Sequence, residues 1–270
     1  MGSRLPASSL IALAVTGLVL AAASRAAAAA DTLRATYALT LIGVPIGTAK
    51  VSADITPTSY VVDASARLSG VGAMFSNSRG ASIGKGAIVS GHVSPASFAT
   101  TASNASMTRT VRMALAGNAV ARVDIEPPFE EKPDRIPLTE KDTQGVLDPV
   151  GAFVIPAPTD GPPTSPAACN RNIPVFDGYT RFDVTLTYVG QRKVVTKGYS
   201  GPVAVCAARY TPIAGHRRDR PATKFMADNK DIEVWLAPVG GKALWPYRIS
   251  VRTLIGTAVA EATEFSVAAK

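Results

Sequence analysis

Histidine, cysteine and tryptophan each occur only twice in these 270 residues, and aromatic residues make up 6% of the chain. Each scarcity excludes something. His92 and His216 leave little material for acid–base work, and there is no His-x-His or Glu-x-x-His pattern to hold a metal. Two cysteines are too few for a structural zinc site. Beyond the first thirty residues, no apolar run approaches the roughly 20 residues of a membrane-spanning helix, so no transmembrane segment is expected in the mature chain. Neither metal nor cofactor is expected, and the balance leans away from an enzyme.

The N-terminus is the opposite case. Arg4 precedes an uncharged apolar run from Leu10 to Ala23, and Ala26 to Ala30 offers small-x-small cleavage sites. Residues 1–30 therefore read as a secretory signal cleaved near Ala30, which directs the protein to the periplasm or outside the cell. In an oxidising compartment an even pair of cysteines reads as a disulfide, Cys169–Cys206, that stabilises the fold by roughly 4 kcal/mol. The formal charge of +8 includes Arg4 and Arg25 of the leader. The remaining positive excess suits anionic glycolipid, phospholipid headgroups or cell-wall polymers as neighbours, and equally a protein with no charged partner. Export makes nucleic acid an unexpected partner.

What the chain has in quantity is alternation. Leu33, Ala35, Tyr37, Leu39 and Leu41 interleave with Arg34, Thr36, Ala38 and Thr40, the period of a half-buried strand. Similar runs occur at Tyr60 to Leu68, Met107 to Leu115, Ala119 to Ile125, Phe182 to Tyr188, Ile232 to Leu236, Tyr247 to Leu254 and Ala258 to Val267. Turn signals separate them, among them Gly117-Asn118, Gly240-Gly241, and Asp177-Gly178 as a type I′ hairpin. Leu41 to Gly47 reads as a turn leading into a strand from Thr48 to Ile55. The fold class is all-β: a large, mostly antiparallel curved sheet, barrel or half-barrel like.

Two stretches break the pattern. Glu126 to Thr143 reads as a long surface loop, and Pro156 to Pro166 as a proline-rich connection. Between them, Asp148 to Phe153 reads as one short helical segment with Asp148 as N-cap and Pro149 at its first position, placed to plug an open end of the sheet. Residues 31–270 are expected to form a single β-rich domain; two lobes meeting near 142–170 are the alternative.

Several motifs together resemble a family of exported bacterial proteins known as domain of unknown function 3108. They are Gly43-Val44-Pro45-Ile46-Gly47, Asp148-Pro149, Val175-Phe176-Asp177-Gly178 with Arg181-Phe182-Asp183, Trp235-Leu236-Ala237-Pro238 and Pro246-Tyr247-Arg248-Ile249. The resemblance spans nearly the whole mature chain and implies a periplasmic, β-rich protein. It supplies no catalytic residues.

Gly198-Tyr199-Ser200-Gly201-Pro202 lacks the second glycine of a nucleophile elbow and reads as a polar turn. Asp183 is expected to pair with Arg181. Arg217, Arg218 and Arg220, with Lys224 nearby, form a compact anion-binding candidate, against the alternative of a solvated basic loop. Trp235 and Trp245 are candidates to line an apolar cavity for an acyl chain or to stack on a sugar, against the alternative of completing the core. These residues make a non-enzymatic binder of a lipidic or amphiphilic anionic envelope ligand the leading expectation. The arginines would meet its anionic end and the tryptophans its apolar part. An interaction module pairing with another envelope protein through an exposed sheet edge is the alternative. A cryptic cell-wall or acyl hydrolase using His92 or His216 is a third.

Overall fold

Alternating side chains become strands wherever turn residues free the chain to reverse, and in the computed structural model this happens along nearly the whole sequence. Residues 30–75 and 78–269 are described; the expected signal segment lies outside them except for Ala30. The first half of the chain is a meander of β1 (Asp31–Leu41), β2 (Val44–Ile55), β3 (Ser59–Leu68), β4 (Arg79–Val89), β5 (His92–Ser103), β6 (Thr108–Ala116) and β7 (Ala119–Glu126). A short helix, α1 (Val71–Phe75), joins β3 to β4. The second half contains β8 (Ile155–Pro156), β9 (Arg171–Phe176), β10 (Arg181–Thr196), β11 (Tyr199–Ala214), α2 (Pro221–Asp228), β12 (Ile232–Val239), β13 (Ala243–Thr253) and β14 (Gly256–Ala269).

All belong to one open, curved, 14-stranded antiparallel sheet ordered β7-β6-β5-β4-β3-β2-β1-β14-β13-β12-β11-β10-β9, with the two-residue β8 on β13. The two meanders meet where β1 pairs with β14 along its whole length, from Asp31 opposite Ala269 to Leu41 opposite Ala258. The expected short helical segment is a 3-10 turn at Gly151–Phe153, and α1 and α2 are additions that the alternation did not signal. Pro221 opens α2 at the position where its missing N–H costs nothing. The first turn is also tighter than expected: it is Ile42–Gly43, and strand resumes at Val44. Asp177 does not enter a type I′ turn, because only Gly178 has positive φ; its carboxylate instead accepts hydrogen bonds from the Tyr179 and Thr180 amides. Arg181 and Asp183 form the expected ion pair.

The concave face carries Leu33, Tyr37, Ile55, Val62, Phe98 and Trp245 in one buried cluster. Parity divides β11 between two cores. Val203 belongs to the concave cluster, whereas Ala204, Cys206 and Ala208 face a second one with Ile173, Leu186, Leu236 and Leu244. Within that second core, Cys169 and Cys206 form the expected disulfide, with both residues fully buried.

The segment 146–156 crosses the concavity. Its backbone finds partners on the way: Val146 N–H donates to Asn118 O, Leu147 N–H to Pro174 O, and Leu147 O accepts from Phe176 N–H. Ile155 and Pro156 then pair with Leu244 and Ala243 of β13. Asp148 caps the turn as expected, its Oδ1 accepting from the Val150 and Gly151 amides at 2.9 Å each. The other oxygen, Oδ2, and the Tyr60 hydroxyl have no hydrogen-bond partner among the described residues. Both face Gly151, where a Cβ would lie 2.7 Å from each. Burial raises the Asp148 pKa above the usual carboxylate range, against the lowering effect of the amide hydrogen bonds.

Two outcomes follow for stability. Replacing Cys169 and Cys206 by serine is expected to cost about 4 kcal/mol in urea unfolding, for a sequence separation of 37 residues. Because the folded Asp148 pKa is raised, the fold binds its proton more tightly than the unfolded chain does. Its contribution therefore grows as pH falls from neutrality through the folded pKa and saturates below the unfolded value of about 4. Asp148→Asn, which keeps the capping oxygen, should remove that pH dependence, whereas Asp148→Ala should destabilise by about 1–2 kcal/mol. Unfolding curves between acid and neutral pH compare the three proteins.

Candidate functional site

Beneath the crossing segment the concave face stays partly unfilled, because β4 carries small residues there. Gly80, Ser82 and Gly84 pair with Ala66, Ala64 and Val62 of β3. At Gly84 an added Cβ would lie 3.1 Å from Val150, so the crossing segment rests directly on β4. Beside that contact lies an apolar cavity of about 350 Å³, lined by Tyr37, Val51, Val62, Phe153, Trp245 and Ile249, among others. Two of its polar side chains are joined in a short chain of hydrogen bonds. Trp245 Nε1 donates to Tyr37 Oη at 3.0 Å, and Tyr37 Oη donates to Pro246 O at 2.6 Å. Burial pushes the Tyr37 pKa up, so its hydroxyl stays neutral. Phe153 leans over Trp245 with ring centroids 6.0 Å apart.

Ser82 and Pro149 are shared with a second, larger cleft of about 940 Å³. Its walls come from the ends of β4 to β6, the loop after β7, the β9–β10 turn and the chain that follows β11. Arg79, Arg109, Lys132, Arg217 and Arg220 line it, against Glu130 and Asp177. Arg217 Nε bonds both oxygens of Asp134, at 2.9 and 3.0 Å, and this holds the Asp134 pKa below its ordinary value. Lys132 likewise lowers Glu130. Asp177 is pushed the other way by burial. His216 also lines the cleft; burial lowers its pKa, so it adds no charge at neutral pH.

One wall of the cleft is a four-layer stack. The Arg109 guanidinium lies 4.0 Å from the Phe129 ring centroid, Phe129 lies 4.1 Å from Tyr179, and Arg135 lies 3.9 Å from the other side of Tyr179. Arg109 also donates to Pro127 O and Pro128 O, and Arg135 to Gly215 O and Tyr179 O. The stack thus ties β6 to the β9–β10 turn and to the end of β11, which lie far apart along the sheet order. Cation–π contacts of this kind contribute roughly 0.5–2 kcal/mol each.

The expected site residues are therefore divided. Arg217 and Arg220 line the cleft and Trp245 lines the apolar cavity. Arg218 is exposed and stands outside both linings, held there by a backbone bond to Asp134 O. Trp235 also stands apart: Arg192 and Arg248 lie 5.3 and 5.0 Å from its ring, and its Nε1 donates to Glu233. Sequence reading missed Arg79, Arg109, Phe129 and Tyr179. Only the small residues at alternate positions of β4, Gly80-x-Ser82-x-Gly84-x-Gly86, signalled a thinned wall. The stretch Glu126 to Thr143 is a loop over most of its length, but Glu126 ends β7 and Glu140–Thr143 form a 3-10 turn, and Phe129, Glu130 and Lys132 give it a cleft wall rather than a mere surface excursion.

The other chemistries find less support. His92 stands at the Ser90–Gly91 hairpin, with Nδ1 2.9 Å from Ser90 O. Ser200 lies in strand just after the β10–β11 turn, without the strand-to-helix geometry of a nucleophile elbow. No cluster of three or more metal-ligating side chains exists among the described residues, and none of their helices is long and apolar enough to cross a membrane.

Comparison with known proteins agrees with this architecture. The chain is similar to a solved structure titled as a beta-barrel-like protein of domain of unknown function DUF1849 from Brucella abortus, with a TM-score of 0.52 and 11% identity. The match covers 90% of this chain and 100% of that one, a likeness of fold alone. No curated protein matches the sequence. The family model described as protein of unknown function (DUF3108) matches residues 34–263, and the chain belongs to that family.

Proposed function

We propose that this protein is exported to the periplasm and there binds an amphiphilic, anionic, lipid-like molecule without transforming it. The carrying observation is that the two cavities adjoin, with Ser82 and Pro149 in the lining of both. An apolar chamber of about 350 Å³ falls within the size range of small-molecule sites. Each methylene of an acyl chain buried there contributes about 0.8 kcal/mol. The adjoining cleft presents arginine forks, whose geometry matches phosphate or carboxylate. Trp245 and Phe153 face the chain, while Arg220, Arg217 and Arg109 face the anionic end. The buried disulfide suits an oxidising compartment.

Native mass spectrometry of protein purified from its own periplasm without detergent tests this reading. An adduct of lipid mass is the expected result. Ala66 is exposed at the mouth of the chamber, so Ala66→Phe should narrow the entrance without disturbing the core and abolish the adduct. The pair Arg217→Ala and Arg220→Ala should weaken it by about tenfold or more, given 1.5–3 kcal/mol for a charged hydrogen bond. A clean apo mass, persisting after incubation with envelope lipids, would overturn the reading.

A further inference from the structure

In an antiparallel meander alternate connections lie at the same end of the sheet, and the two ends of this sheet are built differently. At one end the turn positions are Pro57-Thr58, Ser90-Gly91, Gly117-Asn118 and Gly240-Gly241, the small or polar residues that reversals favour. At the other end the β1–β2 turn holds Ile42, the β13–β14 turn holds Leu254 and Ile255, α1 begins with Val71, and the β5–β6 turn holds Met107. All of them are exposed, with Ile42, Leu254 and Ile255 at 68%, 60% and 70%.

Three of these residues form one knuckle. The Ile42 amide donates to Thr257 O, which brings the β1–β2 tip against the β13–β14 tip. Gly256 lies under the Ile42 side chain, where a Cβ would overlap it. Ile42 itself has φ 52°. A β-branched residue in the left-handed region is strained, and asparagine or glycine would occupy that turn position more comfortably. A strained, exposed, apolar residue at a turn tip is disfavoured by local stability and by solubility alike.

The same end is basic. Arg67 and Arg79 stand directly opposite each other on β3 and β4, a like-charged pair that costs stability unless an anion joins it. They line an outward groove of about 560 Å³ with Lys50, Thr48, Ser65, Thr101 and Ser103, and no acidic residue lines it. By strand parity these side chains leave the sheet on its outer face, and Arg79, at the end of β4, stands at the rim that the groove shares with the cleft. The groove borders the apolar chamber, because Ala66 and Gly80 line both.

We infer that this end of the sheet docks onto an anionic membrane surface, with Ile42, Leu254 and Ile255 entering the interface and Lys50, Arg67 and Arg79 meeting headgroup phosphates. Apolar tips next to cations match the two layers of a bilayer surface, apolar acyl boundary and negative headgroups, in the order the structure presents them. The inference rests on the lipid-binding reading only for its purpose, since the chamber would then open toward its source of ligand.

Flotation with vesicles tests it directly. Wild-type protein should float with phosphatidylethanolamine vesicles containing phosphatidylglycerol, and not with pure phosphatidylcholine. High salt should weaken the association by screening. Ile42→Asn combined with Leu254→Ser and Ile255→Ser should reduce the partition coefficient about tenfold or more. Asparagine tolerates the positive φ, so that variant is not expected to lose its fold. Arg67→Ala with Arg79→Ala should likewise reduce the partition coefficient about tenfold or more. Val89→Ser, at the opposite end, should change nothing. Wild type that fails to float, floats equally well on phosphatidylcholine, or is unaffected by the Ile42 triple variant would overturn the inference. Ala64→Phe, at a half-buried position that lines the chamber but not the groove, separates the two readings: it should lose the lipid adduct yet still float.

Discussion

A sheet that curls without closing leaves an apolar concave face that its own strands cannot cover. Here the chain covers it by sending residues 146–156 across the concavity, and much else depends on that crossing. Buried backbone must find hydrogen-bond partners, so the crossing segment is led from Asn118 to β9 and then to β13, bonding to each on the way. Asp148 settles its shape, capping the turn from a fully buried position. It also brings the second carboxylate oxygen and the Tyr60 hydroxyl together beside Gly151, an electrostatic contact outside regular hydrogen-bond geometry.

The crossing also decides what space remains. Where Val150 rests on Gly84 the concavity is filled; beside it, small residues on β3 and β4 leave the apolar chamber. The stack of Arg109, Phe129, Tyr179 and Arg135, with a backbone bridge between Arg135 and Arg217, holds the two far arms of the sheet near one another. Between those arms lies the basic cleft. The chamber, the cleft and the outward groove therefore share walls, so apolar and cationic surface meet within one region of the molecule.

How far the sequence could be read depended on the range of each interaction. Strands such as β1 and β6 were legible because alternation is local, and the Asp148-Pro149 cap because its donors are two and three residues away. Trp235 and Trp245 both sit in alternating strands, so pattern could not separate them. The structure does, through Tyr37 and Phe153 at one ring and two arginines at the other. Arg217 and Arg220 stood out as a run, whereas Arg79 and Arg109 sit alone in sequence and join them only in space. Helix α2 was hidden by its brevity, with two turns too short for a periodic signal.

By itself, then, the sequence determined the β class, the antiparallel meanders, the disulfide pairing and the cap of the crossing segment. These rest on period-two burial, turn chemistry, a single available cysteine pair and contacts within a few residues. Only the tertiary structure decided that β1 pairs with β14, because nothing local links residues more than two hundred positions apart. That one pairing fuses the two meanders into a single sheet. It also brings the tips bearing Ile42, Leu254 and Ile255 together, and places a cavity beneath the crossing chain.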